Sequence, residues 1–551
     1  MNRTELKIAT KIFAGLVIAS CVAFIGLDLF IIFSRLFYPY QLEWMEGAGL
    51  IQVSRLLAGK AFYVPPSIDF IPLIYPPLYF CASAIIAKLI GLGFGALRLV
   101  SFLSSALCAT IIYLAVREKT DSKFAALLGA GCFASAFMLT GQWFDIARTD
   151  MLAAGLSILG IYLAREPANN VTLSRSSASA SAATERRSHS AAGTGERSEE
   201  AAKSLKPPKK ETQSLRSFRV TYGDLLSGLI FALAFLTKQS ALGVGLATIA
   251  YYLIFNWRRA IRLMLSFGLS ITILYGIFWL NSSGWINYYL FTIPAAHAFD
   301  FSIGRIISVL ISQFASIPIF LIAGLLPILI SPRKIFNDES YRYYIVLAGA
   351  LIATGVGGRL NAFSGPNVYV PSYLGIALLI GLEAGWLVEL AQQAKINPML
   401  VMLEFILLSA QFGFLVPAYF QAKTIPTQED RAAGDALVAK IKSYSGDVLL
   451  LNHNYLALYA GKTPYFNEMP MLEIRGQGNL YPMPQWSELQ PQINSLIHAP
   501  TTDAVIVDFS SPIKPMISSC RQQPIVYADK FVFNPVAGPP NSRPSLIITC
   551  K

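Results

Sequence analysis

Residues 10–34 read TKIFAGLVIASCVAFIGLDLFIIFS, an apolar run in which Lys11 and Asp28 are the charged residues. About 20 apolar residues are enough for a helix to cross ~30 Å of hydrocarbon. The run is also longer than the roughly 7–15 residues of a signal-peptide core, and no small-residue cleavage site follows it. The stretch therefore predicts a membrane anchor at the start of the fold.

The same apolar character extends over the whole chain of 551 residues. Hydrophobic residues make up 54% of the sequence and charged residues 14%, against about 25% charged in soluble domains. The net charge is +12, but the basic residues stand in short clusters between apolar runs, as they do in cytoplasmic loops of membrane proteins. The composition predicts a polytopic α-helical membrane protein, excludes a soluble enzyme and does not indicate a nucleic-acid partner.

Eleven apolar runs are expected to be transmembrane helices. They lie near 10–34, 98–116, 123–142, 150–164, 224–238, 241–256, 260–280, 305–331, 343–357, 367–391 and 399–420. Another run, 73–95, contains Pro76-Pro77 and Lys88. Counting it as a span would place the basic connections 117–119, 257–259 and 332–334 outside, against the positive-inside rule. We therefore expect it to lie in the interface, with the N-terminus cytoplasmic and the C-terminus outside a bacterial-type inner membrane.

The chain divides into four parts. Residues 1–164 form an N-terminal membrane module, and its first outward loop, 35–97, is far longer than the roughly 2–8 residues of an ordinary helix connection. Residues 165–221 hold eleven Lys or Arg and six Asp or Glu, which predicts a disordered cytoplasmic loop. Residues 222–423 carry the remaining spans.

The last part, 424–551, has the pattern of a small soluble α/β domain on the outer face. A helical pattern covers Asp430 to Tyr444, and β-like runs follow at 448–451, 504–507 and 546–549. Its two cysteines, Cys520 and Cys550, would lie in a compartment that permits disulfides. We hypothesise that they pair, helped by a β-like hairpin between Pro524 and Asn534, although two separate thiols would leave the same pattern. The six cysteines of the chain have no spacing typical of a zinc site.

The polar residues of the outward loops resemble a known family. The order of motifs begins with an acidic segment after the first span and an amphipathic helix that ends in Arg-x-x-x-Gly. A Pro-Pro-Leu-Tyr segment follows, then an Arg that opens the next span and an Asp at the outer end of a later span. These are Glu43 with Glu46, Arg55 to Gly59, Pro76 to Tyr79, Arg98 and Asp150. The pattern resembles the GT-C fold of polyprenyl-phosphate-sugar glycosyltransferases, in particular glycosyltransferase family 39 with protein O-mannosyltransferases and lipid A aminoarabinose transferases.

The resemblance implies roles for single residues. Family spacing, counted back from Arg55, points to Glu46 as the base that takes the acceptor proton, with Glu43 one helical turn away as the second acidic candidate. Asp150 would orient the base or the acceptor, and Asp145 is a weaker candidate in the same turn. The donor phosphate would meet Lys238 together with Arg98 or Arg148.

The resemblance also implies the reaction. A sugar on a polyprenyl phosphate or diphosphate would pass, with inversion, to a hydroxyl of a protein, lipid or polysaccharide. No cofactor is expected, and relatives generally need no metal, although Glu46, Asp150 and His297 form a conceivable metal set. The family usually carries Asp at the first acidic position, so a non-catalytic glycan-binding relative stays an alternative. A transporter or lipid flippase is the other, and it would favour inverted repeats, which the sequence lacks.

Overall fold

The structure is a computed structural model and describes residues 3–166, 209–362, 364–393, 395–476, 481–509, 511, 513–539 and 542–550. Most of the loop expected to be disordered, 165–221, lies outside these residues. Its last part differs from the expectation, because a helix begins at Lys209 and runs without a break into the next apolar segment. Its first residues, KKETQSLR, are mostly good helix formers, so the span extends beyond its apolar part.

Sixteen helices form the membrane part and its loops in the described residues. They are α1 (Arg3–Arg35), α2 (Glu46–Leu57), α3 (Leu78–Ile90), α4 (Phe94–Thr120), α5 (Lys123–Ala134), α6 (Asp150–Ala164), α7 (Lys209–Phe235), α8 (Leu242–Phe255), α9 (Trp257–Asn281), α10 (Ile303–Phe314), α11 (Pro318–Ile330), α12 (Pro332–Asn337), α13 (Glu339–Arg359), α14 (Val370–Gln392), α15 (Pro398–Leu415) and α16 (Pro417–Gln421). Short helical turns at Gln239–Ala241, Trp285–Asn287, Tyr288–Thr292, Ile293–Ala295 and Pro366–Tyr369 join some of them.

The chain is a multi-pass membrane protein, as its composition predicted. Within the described ranges, five helical stretches are long and apolar enough to span a bilayer: Thr4–Arg35, Phe94–Thr120, Trp257–Asn281, Pro366–Gln392 and Pro398–Gln421. The pair α10 and α11 would make a sixth. Five shorter apolar helices, among them α3, α5 and α6, have 10–17 residues each. The predicted number of eleven spans therefore requires that four of these shorter helices and α13 also cross, while α3 belongs to the run 73–95 that was expected not to cross.

Two of the expected spans have a different shape in the structure. The run 305–331 is not one helix, since α10 and α11 meet at an angle of 100°. Pro318 opens α11, and a proline disfavours helical geometry in the residue before it, which ends α10. The run 123–142 is helical only as far as Ala134. The turns that follow it, 135–149, carry several of the polar residues described below.

The C-terminal part is a small α/β domain, as predicted. It contains α17 (Gln428–Lys442), α18 (Tyr455–Tyr459), α19 (Glu468–Arg475), α20 (Trp486–Ile497), β1 (Asp447–Leu450), β2 (Thr502–Asp508), β3 (Arg521–Pro524) and β4 (Pro544–Thr549), with a helical turn at Lys514–Ile517. The sheet order is β1-β2-β4-β3, in which only the β1–β2 pair is parallel.

The hypothesised disulfide between Cys520 and Cys550 is present, with 4.5 Å between the Cα atoms. The pairing that brings the two cysteines together differs from the expected hairpin. Strand β3 pairs with β4 from Arg521 to Pro524, opposite Thr549 to Leu546. Strand β3 therefore ends at Pro524, the residue at which the predicted hairpin was to begin. Cys520 and Cys550 directly flank this ladder, at its open end.

The first loop and the C-terminal domain share one hydrophobic core. Residues of α2 and α3, such as Leu50 and Tyr79, belong to the same buried cluster as Leu449 and Ile506 of the sheet. A separate buried cluster fills the space between the membrane helices. The C-terminal domain is therefore packed directly on the loop that carries the acidic candidates.

Candidate active site

Charged side chains from distant parts of the chain meet at one end of the helix bundle. They form four acid–base pairs: Arg35–Asp145, Arg98–Glu46, Arg148–Glu43 and Lys238–Asp150. Both members of the first two pairs are completely buried, whereas the side chain of Arg148 is 9% exposed and that of Lys238 is 18% exposed. Of the four cations, Lys238 and to a smaller extent Arg148 keep some exposed surface, whereas Arg35 and Arg98 keep none.

The pair between Arg98 and Glu46 is saturated with hydrogen bonds. Arg98 donates from Nε to Glu46 Oε1 (3.1 Å) and from Nη2 to Glu46 Oε2 (2.7 Å). Its remaining donors go to the backbone carbonyls of Arg35, Tyr38 and Tyr40. All five N–H groups of a guanidinium are thereby occupied. This geometry is at odds with the expected phosphate-binding role of Arg98, because no donor is left for a phosphate.

Glu46 has no spare acceptor position directed at a substrate. Besides Arg98, the backbone N–H of Ala147 donates to its Oε1 (2.7 Å) and that of Leu42 to its Oε2 (2.7 Å). The side chain is 0% exposed. It opens α2 and ties that helix to α4 and to the turns before α6. The structure therefore gives Glu46 the surroundings of an organising ion pair.

A second organising pair escaped the sequence reasoning. Arg35, the last residue of α1, donates from Nε and Nη2 to the two carboxylate oxygens of Asp145 at 2.8 and 2.5 Å. It also binds the side chain and backbone of Gln142 and the carbonyl of Thr424. Asp145 is thus committed to structure. Nothing in the sequence distinguishes Arg35 from the other basic residues at span ends.

Glu43 differs from the other acids because one of its oxygens is unused. Its Oε2 accepts from the N–H of Met45 (3.0 Å) and from Nη1 of Arg148 (3.0 Å). Its Oε1 is buried and has no hydrogen-bond partner among the described residues. Burial raises the pKa of Glu43 to about 7, although the neighbouring Arg148 acts to lower it. A carboxyl group with a free oxygen and a pKa near neutrality is suited to general base catalysis.

A turn of the C-terminal domain covers this free oxygen. Gly538 has φ +79°, and a Cβ there would lie 3.3 Å from Oε1 of Glu43 and 3.2 Å from Cδ1 of Trp44. The backbone N–H of Ala537 donates to the carbonyl of Leu42 (2.9 Å), which holds the turn in place. A substrate that reaches Oε1 has to displace or pass beside this turn.

Arg148 joins Glu43 to the motif Tyr75-Pro-Pro-Leu-Tyr. Its Nη2 donates to the hydroxyl of Tyr75 (2.8 Å), and its guanidinium carbon lies 5.3 Å from the centroid of the Tyr75 ring and 5.6 Å from that of Trp143. The side chain is held by contacts on several sides and is 9% exposed. This arrangement suits a cation that meets an anionic ligand.

Asp150 and Lys238 form the other accessible pair. Nζ of Lys238 lies 2.5 Å from Oδ1 of Asp150, which also accepts from Asn367 (2.8 Å). Oδ2 of Asp150 accepts from the indole N–H of Trp143 (3.0 Å). The sequence singled out Asp150 and Lys238 but not Asn367 or Trp143. The tertiary contacts place both of them on Asp150.

The conceivable metal set of Glu46, Asp150 and His297 does not converge. His297 pairs through Nε2 with Glu473 of the C-terminal domain at 2.5 Å, and the other two carboxylates are paired with cations. In the described part of the chain, the one group with metal-ligand spacing consists of His498 and the two disulfide cysteines, Cys520 and Cys550. That group lies in the C-terminal domain and includes none of the acidic site residues.

Comparison with solved structures identifies the fold. No family model and no curated protein matches the sequence. The structure of ArnT from Cupriavidus metallidurans bound to undecaprenyl phosphate matches with a TM-score of 0.57 at 13% identity and covers 96% of this chain and 97% of ArnT. The apo form of ArnT gives 0.56 at 12% identity, with coverage of 96% and 97%. The apo oligosaccharyltransferase of Archaeoglobus fulgidus gives 0.50 at 11% identity and covers 90% of this chain and 69% of that enzyme.

The chain therefore has the GT-C membrane glycosyltransferase fold that its motifs predicted. Within that class the arrangement is ArnT-like, because the match extends over nearly the full length of both chains, including the C-terminal domain. At 13% identity or less the likeness concerns the fold alone.

Proposed function

We propose that the protein is an inverting glycosyltransferase that moves a sugar from a polyprenyl phosphate or diphosphate to a hydroxyl acceptor. The observation that carries the proposal is the buried Glu43, with one unpartnered oxygen and a pKa near 7, beside two accessible cations. The fold supports it, since an enzyme of this fold has been solved with undecaprenyl phosphate bound. The acceptor class comprises hydroxyls of proteins, lipids or polysaccharides.

The proposed base is Glu43, in place of the Glu46 that family spacing favoured. The acceptor oxygen attacks the anomeric carbon, and its proton passes to Oε1 of Glu43. The bond between the anomeric carbon and the phosphate oxygen breaks, and its electron pair leaves with the phosphate. Attack from the face opposite the leaving group inverts the anomeric centre. Glu46 would hold the loop that presents Glu43, through Arg98.

The departing phosphate is assigned to Lys238 and Arg148. Charge builds up on the leaving oxygens as the bond breaks, and a prepositioned cation stabilises that charge without reorganisation. Asp150 would hold Lys238 in position until the donor arrives. A Lys and an Arg that are each paired with a carboxylate at rest also avoid an unpaired charge in the empty site.

We propose that the reaction takes place on the outer face of the membrane. The basic connections at 117–119, 257–259 and 332–334 would then be cytoplasmic, in agreement with the positive-inside rule. The site lies at the N-terminal end of α4, opposite residues 117–119, and at the C-terminal end of α7, whose first residues belong to the predicted cytoplasmic loop 165–221. The C-terminal domain would be periplasmic or extracellular, where its disulfide is favoured.

The experiment compares lipids bound to the wild type and to Glu43→Gln after purification from the native membrane. Mass spectrometry should find free polyprenyl phosphate on the wild type and the sugar-loaded lipid on Glu43→Gln, because the variant binds the donor but does not consume it. Glu429→Gln, an exposed site in the C-terminal domain, is the matched control and should behave as the wild type.

Two results would contradict the proposal. Failure of the purified wild type to bind added undecaprenyl phosphate would exclude the donor class and favour the transporter or flippase alternative. Equal amounts of sugar-loaded lipid on the wild type, Glu43→Gln and Glu46→Gln would favour the non-catalytic glycan-binding alternative.

A further inference from the structure

Two glutamates lie side by side inside the helix bundle. Glu383 belongs to α14 and Glu404 to α15, and both helices are long and apolar enough to span a bilayer. Their carboxyl groups are in hydrogen-bonding contact. Helix α14 begins at Val370, close to Asn367 of the candidate active site, and at ~1.5 Å per residue Glu383 lies about 20 Å further along the axis. The glutamate pair is therefore remote from the four acid–base pairs.

Neither carboxyl group has a protein partner that could neutralise it. Glu383 is 0% exposed. Both of its oxygens, and Oε1 of Glu404, are buried without a hydrogen-bond donor from the part of the chain that the structure describes. On the same face of α14, three residues further along, the indole N–H of Trp386 is also buried and unpaired in that part of the chain. Polar groups at this depth are thus not satisfied by the surrounding protein.

The titratable groups on the surrounding helices supply no free cation. The thiol of Cys132 on α5 and the hydroxyl of Tyr341 on α13 lie near enough to Glu383 to interact with it, and neither group carries a positive charge. Lys119 of α4 lies 4.3 Å from the centroid of the Tyr341 ring, but its Nζ is bound to Asp338 at 2.8 Å. Helix α11 contains no titratable residue. Away from its two ends, the buried titratable groups of α1, which packs along α15, are Cys21 and Asp28.

A shared proton explains how the two carboxyl groups can be in contact. Ionised carboxylates can only accept hydrogen bonds, so two of them would place like charges together and leave the buried oxygens unpaired. Burying such a charge without a counter-ion is costly, above all inside a bilayer. When one carboxyl group is protonated, its O–H donates to the other group, and neighbouring carboxyl groups commonly share a proton in this way.

The pair borders the surface that faces lipid. Glu404 is half-buried, and its neighbours one helical turn away on α15, Leu400 and Leu407, are 58% and 42% exposed. Leu403, which is 48% exposed, continues the same apolar stripe. A small apolar molecule dissolved in the bilayer can therefore approach Glu404 from the side of α15.

We propose that Glu383 and Glu404 form an intramembrane proton-binding site, in which a proton held between the two carboxyl groups joins α14 to α15. The ligand of this site is a proton, and the sugar donor and acceptor take no part in it. The inference goes beyond the proposed function, because none of the residues assigned to transfer belongs to the pair. Loss of the proton at alkaline pH should weaken the contact between the two helices.

Dicyclohexylcarbodiimide, an apolar reagent that modifies protonated carboxyl groups, tests the site in the full-length protein in lipid nanodiscs. The carboxyl oxygen bonds to the central carbon of the reagent, and the carboxyl proton moves to one of its nitrogens. The acyl group then migrates from the oxygen to the other nitrogen, which leaves a stable adduct that contains the whole reagent. Peptide mass spectrometry should find the adduct on Glu404 or Glu383, with a yield that falls as pH rises.

Glu383→Gln distinguishes a shared proton from an isolated carboxyl group. Glutamine keeps the size and can donate to Glu404, but the negative charge that favours protonation of Glu404 is lost. The pH at which half of Glu404 is labelled should therefore fall by about one unit or more. Because the glutamine amide donates without a bound proton, the melting temperature of Glu383→Gln should increase relative to that of the wild type toward alkaline pH. Glu389→Gln, exposed on the same helix, is the matched control and should label and melt as the wild type.

A yield that does not depend on pH, or the same labelling profile in the wild type and Glu383→Gln, would overturn the inference. Protection by Na⁺ at constant pH would also overturn it and assign the pair to a metal cation. If the reagent labels neither glutamate, infrared spectroscopy decides between the outcomes. A carboxylic acid C=O band that is present in the wild type and absent from the double variant, Glu383→Gln with Glu404→Gln, would support the site, whereas identical spectra would exclude it.

Discussion

Replacing Glu43 and Glu46 one at a time by glutamine distinguishes the proposed base from the glutamate that forms the organising ion pair with Arg98. Glu46 accepts four hydrogen bonds, two of them from Arg98, and both side chains are fully buried. Glutamine has one acceptor oxygen, and its amide group would face N–H donors. Removal of one partner of a buried ion pair costs about 3–5 kcal/mol. Glu46→Gln should therefore lower the free energy of unfolding by this amount.

Glu43→Gln should have the opposite profile. The pKa of Glu43 is raised to about 7 by burial, so the site tolerates a neutral side chain near neutral pH. The amide oxygen can still accept from Met45 and Arg148. We expect a change of about 1 kcal/mol or less in stability, with a fall in turnover on the order of 10² to 10⁴ because the base is lost.

The assay pairs thermal unfolding in detergent with the ratio of sugar-loaded to free polyprenyl lipid. Glu46→Gln should have a lower melting temperature than the wild type, and its correctly folded fraction should retain transfer activity. Glu43→Gln should have a melting temperature close to that of the wild type and should lack transfer activity. A stable Glu46→Gln without transfer, next to an active Glu43→Gln, would refute this reasoning and restore the base to the position that the family spacing indicated.

Three other predictions concern pH, the donor and topology. In the proposed mechanism transfer needs ionised Glu43, so the wild-type rate should rise with a midpoint near pH 7; a midpoint unchanged in the residual activity of Glu43→Gln would contradict this. Because this pKa is raised on folding, the stability that Glu43 contributes is present at pH values below the ordinary pKa of a glutamate and is lost as pH rises through about 7. The free energy of unfolding of Glu43→Gln should therefore increase relative to that of the wild type toward alkaline pH. Lys238→Ala should weaken undecaprenyl phosphate binding at least about tenfold, with Lys238→Arg only partly restoring it and Lys442→Ala, an exposed control, without effect. Labelling of introduced cysteines should find positions 120 and 333 cytoplasmic and position 442 outside; position 120 outside with a cytoplasmic N-terminus would overturn the eleven-span arrangement.

The sequence by itself determined the class and the candidates. Apolar runs, basic clusters, and the helical and β-like patterns of the last 125 or so residues depend on local composition. They therefore predicted a multi-pass protein with an α/β domain. The motif order then predicted the GT-C fold. Local patterns could not show that the run 123–142 stops being helical at Ala134, because the turns that follow are stabilised by Arg35 and Glu46 from elsewhere in the chain.

The tertiary structure decided which acid is free. Glu43 and Glu46 are three residues apart and of the same type, and sequence spacing treats them as near equivalents. Their surroundings differ because α4 places Arg98 against Glu46, while Arg148 reaches only one oxygen of Glu43 and the C-terminal domain covers the other with the backbone of Gly538. Burial and hydrogen-bond partners of a carboxylate are set by segments tens to hundreds of residues away, so its ability to take a proton becomes defined only when those segments pack.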